Sequence, residues 1–335
     1  MTTPALLEST VPGGPTPKPL TEGKQPLGIL IGLWAFVVVP FIALFVAVPI
    51  AWGGWLHWSD VAIALVLYYV AGFGVTAGFH RYLTHGSYKA KRWLRVTLAV
   101  AGAMAVQGTP TQWVADHRRH HAYSDLEGDP HSPWAYGKGF WGLTKGLFHA
   151  HMGWLFTDHG QAERRKYAKE LIEDRGMRRI NRRFHWWVLL GLAMAGLIGF
   201  VLGGFTLKAL LTGLLWGGLV RIFLQHHVTW SINSVCHFFG RRRFDIEDHS
   251  TNVFWLALPT LGEAWHHNHH AFPRSAAHGL GRRELDPSAW VIRAMERVGL
   301  VWNVVRIAPE RQAQKLIVPA AATAPAEDRV PTPVG

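Results

Sequence analysis

One cysteine, Cys236, in 335 residues excludes an intrachain disulfide, a multi-thiolate zinc site and a cysteine-held iron–sulfur cluster. On its own it reads as a small packed side chain. Charge is scarce too. Asp, Glu, Lys and Arg make up 17% of the chain against 49% apolar residues, a balance that argues against two soluble domains and for a membrane protein. Acidic residues are the rarer sign, 22 against 34 basic, for a formal net charge of +12. The placement of the basic residues follows a positive-inside bias rather than a nucleic-acid footprint, so no nucleic-acid partner is expected.

Long uncharged runs are plentiful. Leu27 to Ala51 has no charge in twenty-five residues, enough to cross a hydrocarbon core of about 30 Å at 1.5 Å per residue. Further runs give four expected spans, at about 27–51, 61–79, 186–206 and 209–229. Val96–Val106 and Phe140–Phe156 are too short or too interrupted to cross, and are expected at the interface. Residues 1–26 show no cleavage-site pattern and, with the Ala/Pro/Thr-rich 318–335, read as disordered tails around one domain, 27–317. Gly53 to Asp60 carries no Lys or Arg and the third-to-fourth turn only Lys208, whereas Lys18, Lys24, the stretch from Arg81 to Arg183 and the region after Arg241 are basic. Both termini, and a cap formed by 80–185 and 230–317, are therefore expected on the cytoplasmic side of a cell membrane. Arg221, inside the fourth run, is a candidate functional charge, or one that snorkels or pairs internally.

Histidine is abundant, and it falls into clusters on that same side. His80 and His85 are followed by His117, His120 and His121, and then by His266, His269 and His270. The last two clusters repeat an i, i+3, i+4 spacing that puts three rings on one helix face. His267 lies off that stripe and is a weaker candidate. His80 and His85 differ by about 140° on a helix of 3.6 residues per turn, so this pair suits a helix end. Asn233 and His237 form an i, i+4 pair beyond the fourth run. Eight clustered imidazoles can serve more than one ion, and imidazole suits iron, copper, zinc and nickel. Glu263-x-x-His266 is a single copy of an element that carboxylate-bridged di-iron bundles need twice. Glu263 and Asp116 are better read as partners that orient imidazoles, or simply as exposed acids near a basic surface.

These motifs resemble the integral-membrane fatty acid desaturases, specifically the stearoyl-CoA (delta-9) group. His80-Arg81-Tyr82-Leu83-Thr84-His85 is similar to the first histidine box of that group and His117-Arg118-Arg119-His120-His121 to the second. Gly262 to His270 is similar to the third, and Asn233-Ser234-Val235-Cys236-His237 to its NSxxH element. The resemblance covers about residues 27 to 305. It implies an all-α integral membrane fold of four transmembrane helices, with a cytoplasmic helical cap holding a di-iron site. Nine histidines would ligate the two Fe ions: His80, His85, His117, His120, His121, His237, His266, His269 and His270, with Asn233 reaching one metal through water. The implied reaction is O2-dependent insertion of a cis double bond into a saturated acyl chain. Such chemistry needs a redox metal, which zinc is not. Gln107 and Trp113 match positions at the bend of the substrate tunnel.

The chain departs from the animal enzymes where they carry basic residues for the CoA head: Ala115 precedes Asp116, and Thr157, Asp158 and His159 follow the GWL segment. The substrate carrier is therefore open between CoA and lipid. With no haem-binding HPGG segment and one cysteine, electrons are expected from a separate ferredoxin or cytochrome with its reductase, steered to a basic face that would also attract membrane lipid. A membrane hydroxylase and a zinc-binding receptor or transporter are the competing classes.

Overall fold

The computed structural model describes residues 27–157 and 162–317; the two expected tails, with Asp158 and His159, lie outside them. The chain is mostly helical. Among the described residues, four helices are long and apolar enough to cross a membrane: Leu27–Trp55, Trp58–Thr84, Phe184–Leu202 and Leu207–His237. The second and fourth run past their expected ends, 79 and 229, and so carry His80 and His237 on the spans themselves. The third stops at Leu202, short of the expected 206. There Gly204 and Phe205 take left-handed backbone angles and the Thr206 side chain caps the next helix.

Small residues let the last two spans touch. A Cβ on Gly199 would lie 2.6 Å from the carbonyl of Ala209, and one on Gly213 2.6 Å from that of Ala195, the close backbone approach typical of helix pairs in lipid. Buried Asp60 accepts a hydrogen bond from the Thr212 hydroxyl at 3.1 Å, joining the second span to the fourth. Arg221 is fully buried and internally paired, donating to the carbonyl of Met104 at 3.0 Å and to Gln225 Oε1 at 3.2 Å. The structure thus favours internal pairing over snorkelling.

The helices Arg92–Ala103 and Phe140–His151 each have twelve residues, about 18 Å at 1.5 Å per residue, too short to cross. Arg92–Ala103 lies directly on the second span, where a Cβ on Gly74 would come 2.0 Å from the backbone nitrogen of Gly102. Beyond the spans, the helices Pro110–Tyr123, His266–Ala271 and Pro287–Arg297 build a cap. A short antiparallel pair, Lys89–Ala90 with Val301–Trp302, closes over a core of Tyr88, Leu94, Leu98, Ile292 and Val301. This cap sits at the end of the spans opposite both short inter-span connections.

Candidate metal centre and active site

From Gly74 to Thr84 the second span winds in wide, π-type turns, and the His85 amide donates to the carbonyl of His80 at 3.2 Å. An i→i+5 hydrogen bond is the mark of that winding. It replaces the 140° divergence expected of an ideal helix with convergence, leaving the two rings 5.0 Å apart, centroid to centroid. His85 also ends the helix, as its spacing suggested.

Pro110–Tyr123 carries the second cluster, with Pro110 at its first turn and Thr109 as its N-cap. The arginines between its histidines act as clamps. Arg118 donates to the carbonyls of Leu83 at 3.0 Å and Thr84 at 3.0 Å, fastening this helix to the end of the second span. Arg119 donates to the Gly128 carbonyl at 2.7 Å and holds the following loop. The third cluster begins at His266 on a short helix, and His237 arrives from the end of the fourth span.

Two groups of rings result. His80, His85, His117, His121 and His269 form one, and His120, His237, His266 and His270 the other, each with its ligand atoms within 4.8 Å of one another. The facing atoms are alike. His80 Nε2 lies 3.0 Å from His269 Nε2, His121 Nε2 3.0 Å from His117 Nε2 and 2.8 Å from His269 Nε2, and His237 Nε2 3.0 Å from His266 Nε2. Two nitrogens bound to one ion at about 2.1 Å stand about 3.0 Å apart at a right angle and about 3.4 Å apart at the tetrahedral angle, so these spacings fit a shared cation. The buried His85 Nε2 has no hydrogen-bond partner among the described residues, as suits a nitrogen reserved for a metal.

Four of the outer nitrogens meet carboxylates, whereas those of His266 and His269 have no hydrogen-bond partner among the described residues. Asp125 accepts from His237 Nδ1 at 2.7 Å, Asp129 from His120 Nδ1 at 3.0 Å, Asp248 from His270 Nδ1 at 2.7 Å, and Glu263 makes a short contact with His80 Nδ1. Each such bond fixes the tautomer that turns Nε2 inward. Burial, joined by the other imidazoles nearby, holds His85, His117, His121, His266, His269 and His270 well below the ordinary histidine range. They are therefore neutral, as metal ligation requires.

Asp116 does not play the role its sequence position suggested. Its Oδ1 accepts from the Ala162 amide at 2.6 Å and from Gln112 Nε2 at 2.9 Å instead of meeting an imidazole. Burial pushes its carboxyl up to about 7. Asp125, Asp129, Asp248 and His278 were not singled out in the sequence; the pair Asp125-x-x-x-Asp129 just after the second cluster was the available signal. His267, off the stripe, is a structural residue whose Nε2 accepts from the Phe244 amide at 3.0 Å.

A cavity opens onto both groups. His80, His117 and His266 reach it beside Asn233, Trp113 and Glu263, with Val75, Val228, Ile232 and Leu261 as apolar wall. Tyr68 and Gly72, three and two turns back along the second span, line its far part, and the Tyr68 hydroxyl donates to the Pro259 carbonyl at 2.7 Å. Trp113 stacks on His117 at 5.1 Å. Gln107 meets the cavity through Thr229, to whose hydroxyl it donates at 2.8 Å.

Residues 56–295 match the fatty acid desaturase family. The chain belongs to that family. Among curated relatives, this desaturase is 42% identical to a hex-5-enoyl-[acyl-carrier protein] acetylenase of Moorena producens, over 80% of this chain and 83% of that protein. It is 37% identical to an sn-1 stearoyl-lipid 9-desaturase of Anabaena variabilis, over 76% and 87% of the two chains. With the delta-9 acyl-lipid desaturase 1 of Arabidopsis thaliana it shares 36% identity, over 77% and 79%. The desaturase is thus an oxidoreductase of lipid metabolism, with its histidine boxes gathered at one end of four apolar helices.

Proposed function

We propose that this desaturase uses O2 and two iron ions to place a cis double bond, at the delta-9 position, in a saturated acyl chain carried by CoA or by a lipid. One observation carries the proposal: five and four imidazoles, all buried or half-buried, face inward in two adjacent groups beside an apolar cavity. In this reading His80, His85, His117, His121 and His269 hold one iron, His120, His237, His266 and His270 the other, and Asn233 reaches a metal through water. When bound there, iron with O2 supplies the oxidising power that removes hydrogen from an unactivated methylene, which no side chain can do alone.

The chain's own residues position the substrate. Val75, Val228, Ile232 and Leu261 hold an alkyl chain by its apolar surface and exclude water, while Trp113, fixed on His117, gives a rigid wall next to the reacting carbons. The positions of Gln107 and Trp113 support a role in bending the chain. Two of the relatives are named as acyl-lipid or stearoyl-lipid enzymes, which supports a lipid carrier. The positive-inside distribution supports a cytoplasmic cap with both termini on that side, and the basic surface supports docking of an acidic ferredoxin or cytochrome as electron donor.

Expression in a host whose lipids are all saturated tests the proposal. Mass spectrometry should show acyl chains lighter by two hydrogens with the new bond at carbon 9, and the purified protein should carry two irons per chain. Chains heavier by one oxygen would make it a hydroxylase. Native zinc with no O2 consumption would overturn the redox reading altogether.

A further inference from the structure

The two histidine groups are supported differently. In the group of four, the orienting carboxylates are anchored by backbone amides: Asp129 accepts from the amides of Asp125 at 2.8 Å and His131 at 3.0 Å, Asp125 from that of His249 at 2.9 Å, and Asp248 from that of Ser250 at 2.9 Å. Glu263, on the side of the group of five, is met among the described residues only by side chains: a short contact from His80, and, without hydrogen-bond geometry, Arg81 Nη2 at 3.2 Å and His278 Nδ1 at 3.3 Å. A carboxylate without backbone anchors is aimed by the charges around it.

Arg81 is the charge that matters, and it is completely buried. Its Nη1 donates to Asp286 Oδ1 at 3.0 Å. Asp286 is itself fixed by the amides of Ala289 at 2.9 Å, His278 at 2.7 Å and Gly279 at 3.1 Å. It therefore sets both the guanidinium that faces Glu263 and the loop that brings His278 to the same carboxylate. Gly262 makes room for this arrangement: its φ is +98°, and a Cβ there would lie 2.2 Å from Asp286 Oδ1.

We infer that Arg81 and Asp286 are positioning residues of the five-histidine locus, holding Glu263 so that His80 presents Nε2 to the cation, while the four-histidine locus is independent of them. The inference rests on the two-iron reading above. It extends the site to a residue, Asp286, that touches no proposed ligand ring.

Iron retained per chain under a competing chelator is the readout, on full-length protein in detergent. Asp286→Ser keeps an N-capping oxygen but removes the carboxylate; Arg81→Lys keeps the charge but cannot span two carboxylates. Both should release one iron at a chelator concentration at least tenfold below that needed by wild type, and keep the second. Combined with Asp129→Asn, which disturbs His120 in the other group, Asp286→Ser should release both. Retention of two irons by both single variants, simultaneous loss of both irons in each, or a double variant no weaker than Asp129→Asn would each overturn the inference. A wild-type protein that binds no iron would instead overturn the two-iron reading.

Discussion

Replacing Asp129 by asparagine separates a ligand's presence from its orientation. Asp129 is fully enclosed, and both of its oxygens lie 3.0 Å from His120 Nδ1. Burial alone would raise its carboxyl, but His120, His131 and the backbone amide of Asp125 outweigh that and hold it below the usual range, so it is ionised at any working pH. Three N–H groups converge on it: His120 Nδ1 and the amides of Asp125 and His131. Asparagine has nearly the same volume but offers one acceptor oxygen, so at least one buried donor faces an NH2 group. An unsatisfied buried donor costs about 1–3 kcal/mol, and each 1.4 kcal/mol is about tenfold in affinity, so a loss of about 5–140-fold in iron affinity is expected, which brackets the roughly 10–100-fold usual for such partners. Chelator titration with iron quantification per chain should show one iron leaving early. The other should leave at the wild-type concentration, since Asp129 touches none of the five rings in the other group. An unchanged titration, or an equal shift for both ions, would refute the division of the site into two loci with separate supports.

Two further outcomes follow from burial and from space. His85, His117, His121, His266, His269 and His270 have folded-state pKa values depressed by burial, so below about pH 6.5 the unfolded chain takes up protons that the folded chain refuses. Stability is then present above that pH and lost as pH falls, by up to about 1.4 kcal/mol per pH unit for each group. The metal-free protein should melt at progressively lower temperature from pH 7 to pH 5, and a constant or rising Tm would show the rings to be solvated. In the cavity, a Cβ on Gly72 would lie 2.5 Å from Leu261 Cδ1 and 3.4 Å from Gln225 Nε2. Gly72→Val should therefore shorten the accepted chain, discriminating by about 10–200-fold per methylene excluded. An unchanged ratio of sixteen- to eighteen-carbon products from that variant would place the chain end elsewhere.

The four spans and the imidazoles were legible because each rests on local pattern. Uncharged runs announce spans through length, and His117, His120 and His121 share a face through helical periodicity. The His80/His85 pair was legible only as a misfit, since its spacing of five fits no α-helical face, and the wide turns that reconcile it begin at Gly74, where the span packs on Gly102. The carboxylates were a harder case. Asp116 adjoins a proposed ligand in sequence yet points to Ala162, whereas Asp248 meets His270 across 22 residues and Asp125 meets His237 across 112. Adjacency along a helix turns successive side chains by about 100°, so standing next to a proposed ligand in sequence does not by itself make a residue that ligand's partner. Partners of that kind must come from other segments, and their pairing is written in the loops that close over the site rather than in any spacing. Arg81 shows the converse: it follows a proposed ligand directly, and it reaches not the ring but Glu263, the carboxylate from another segment that aims its neighbour's ring.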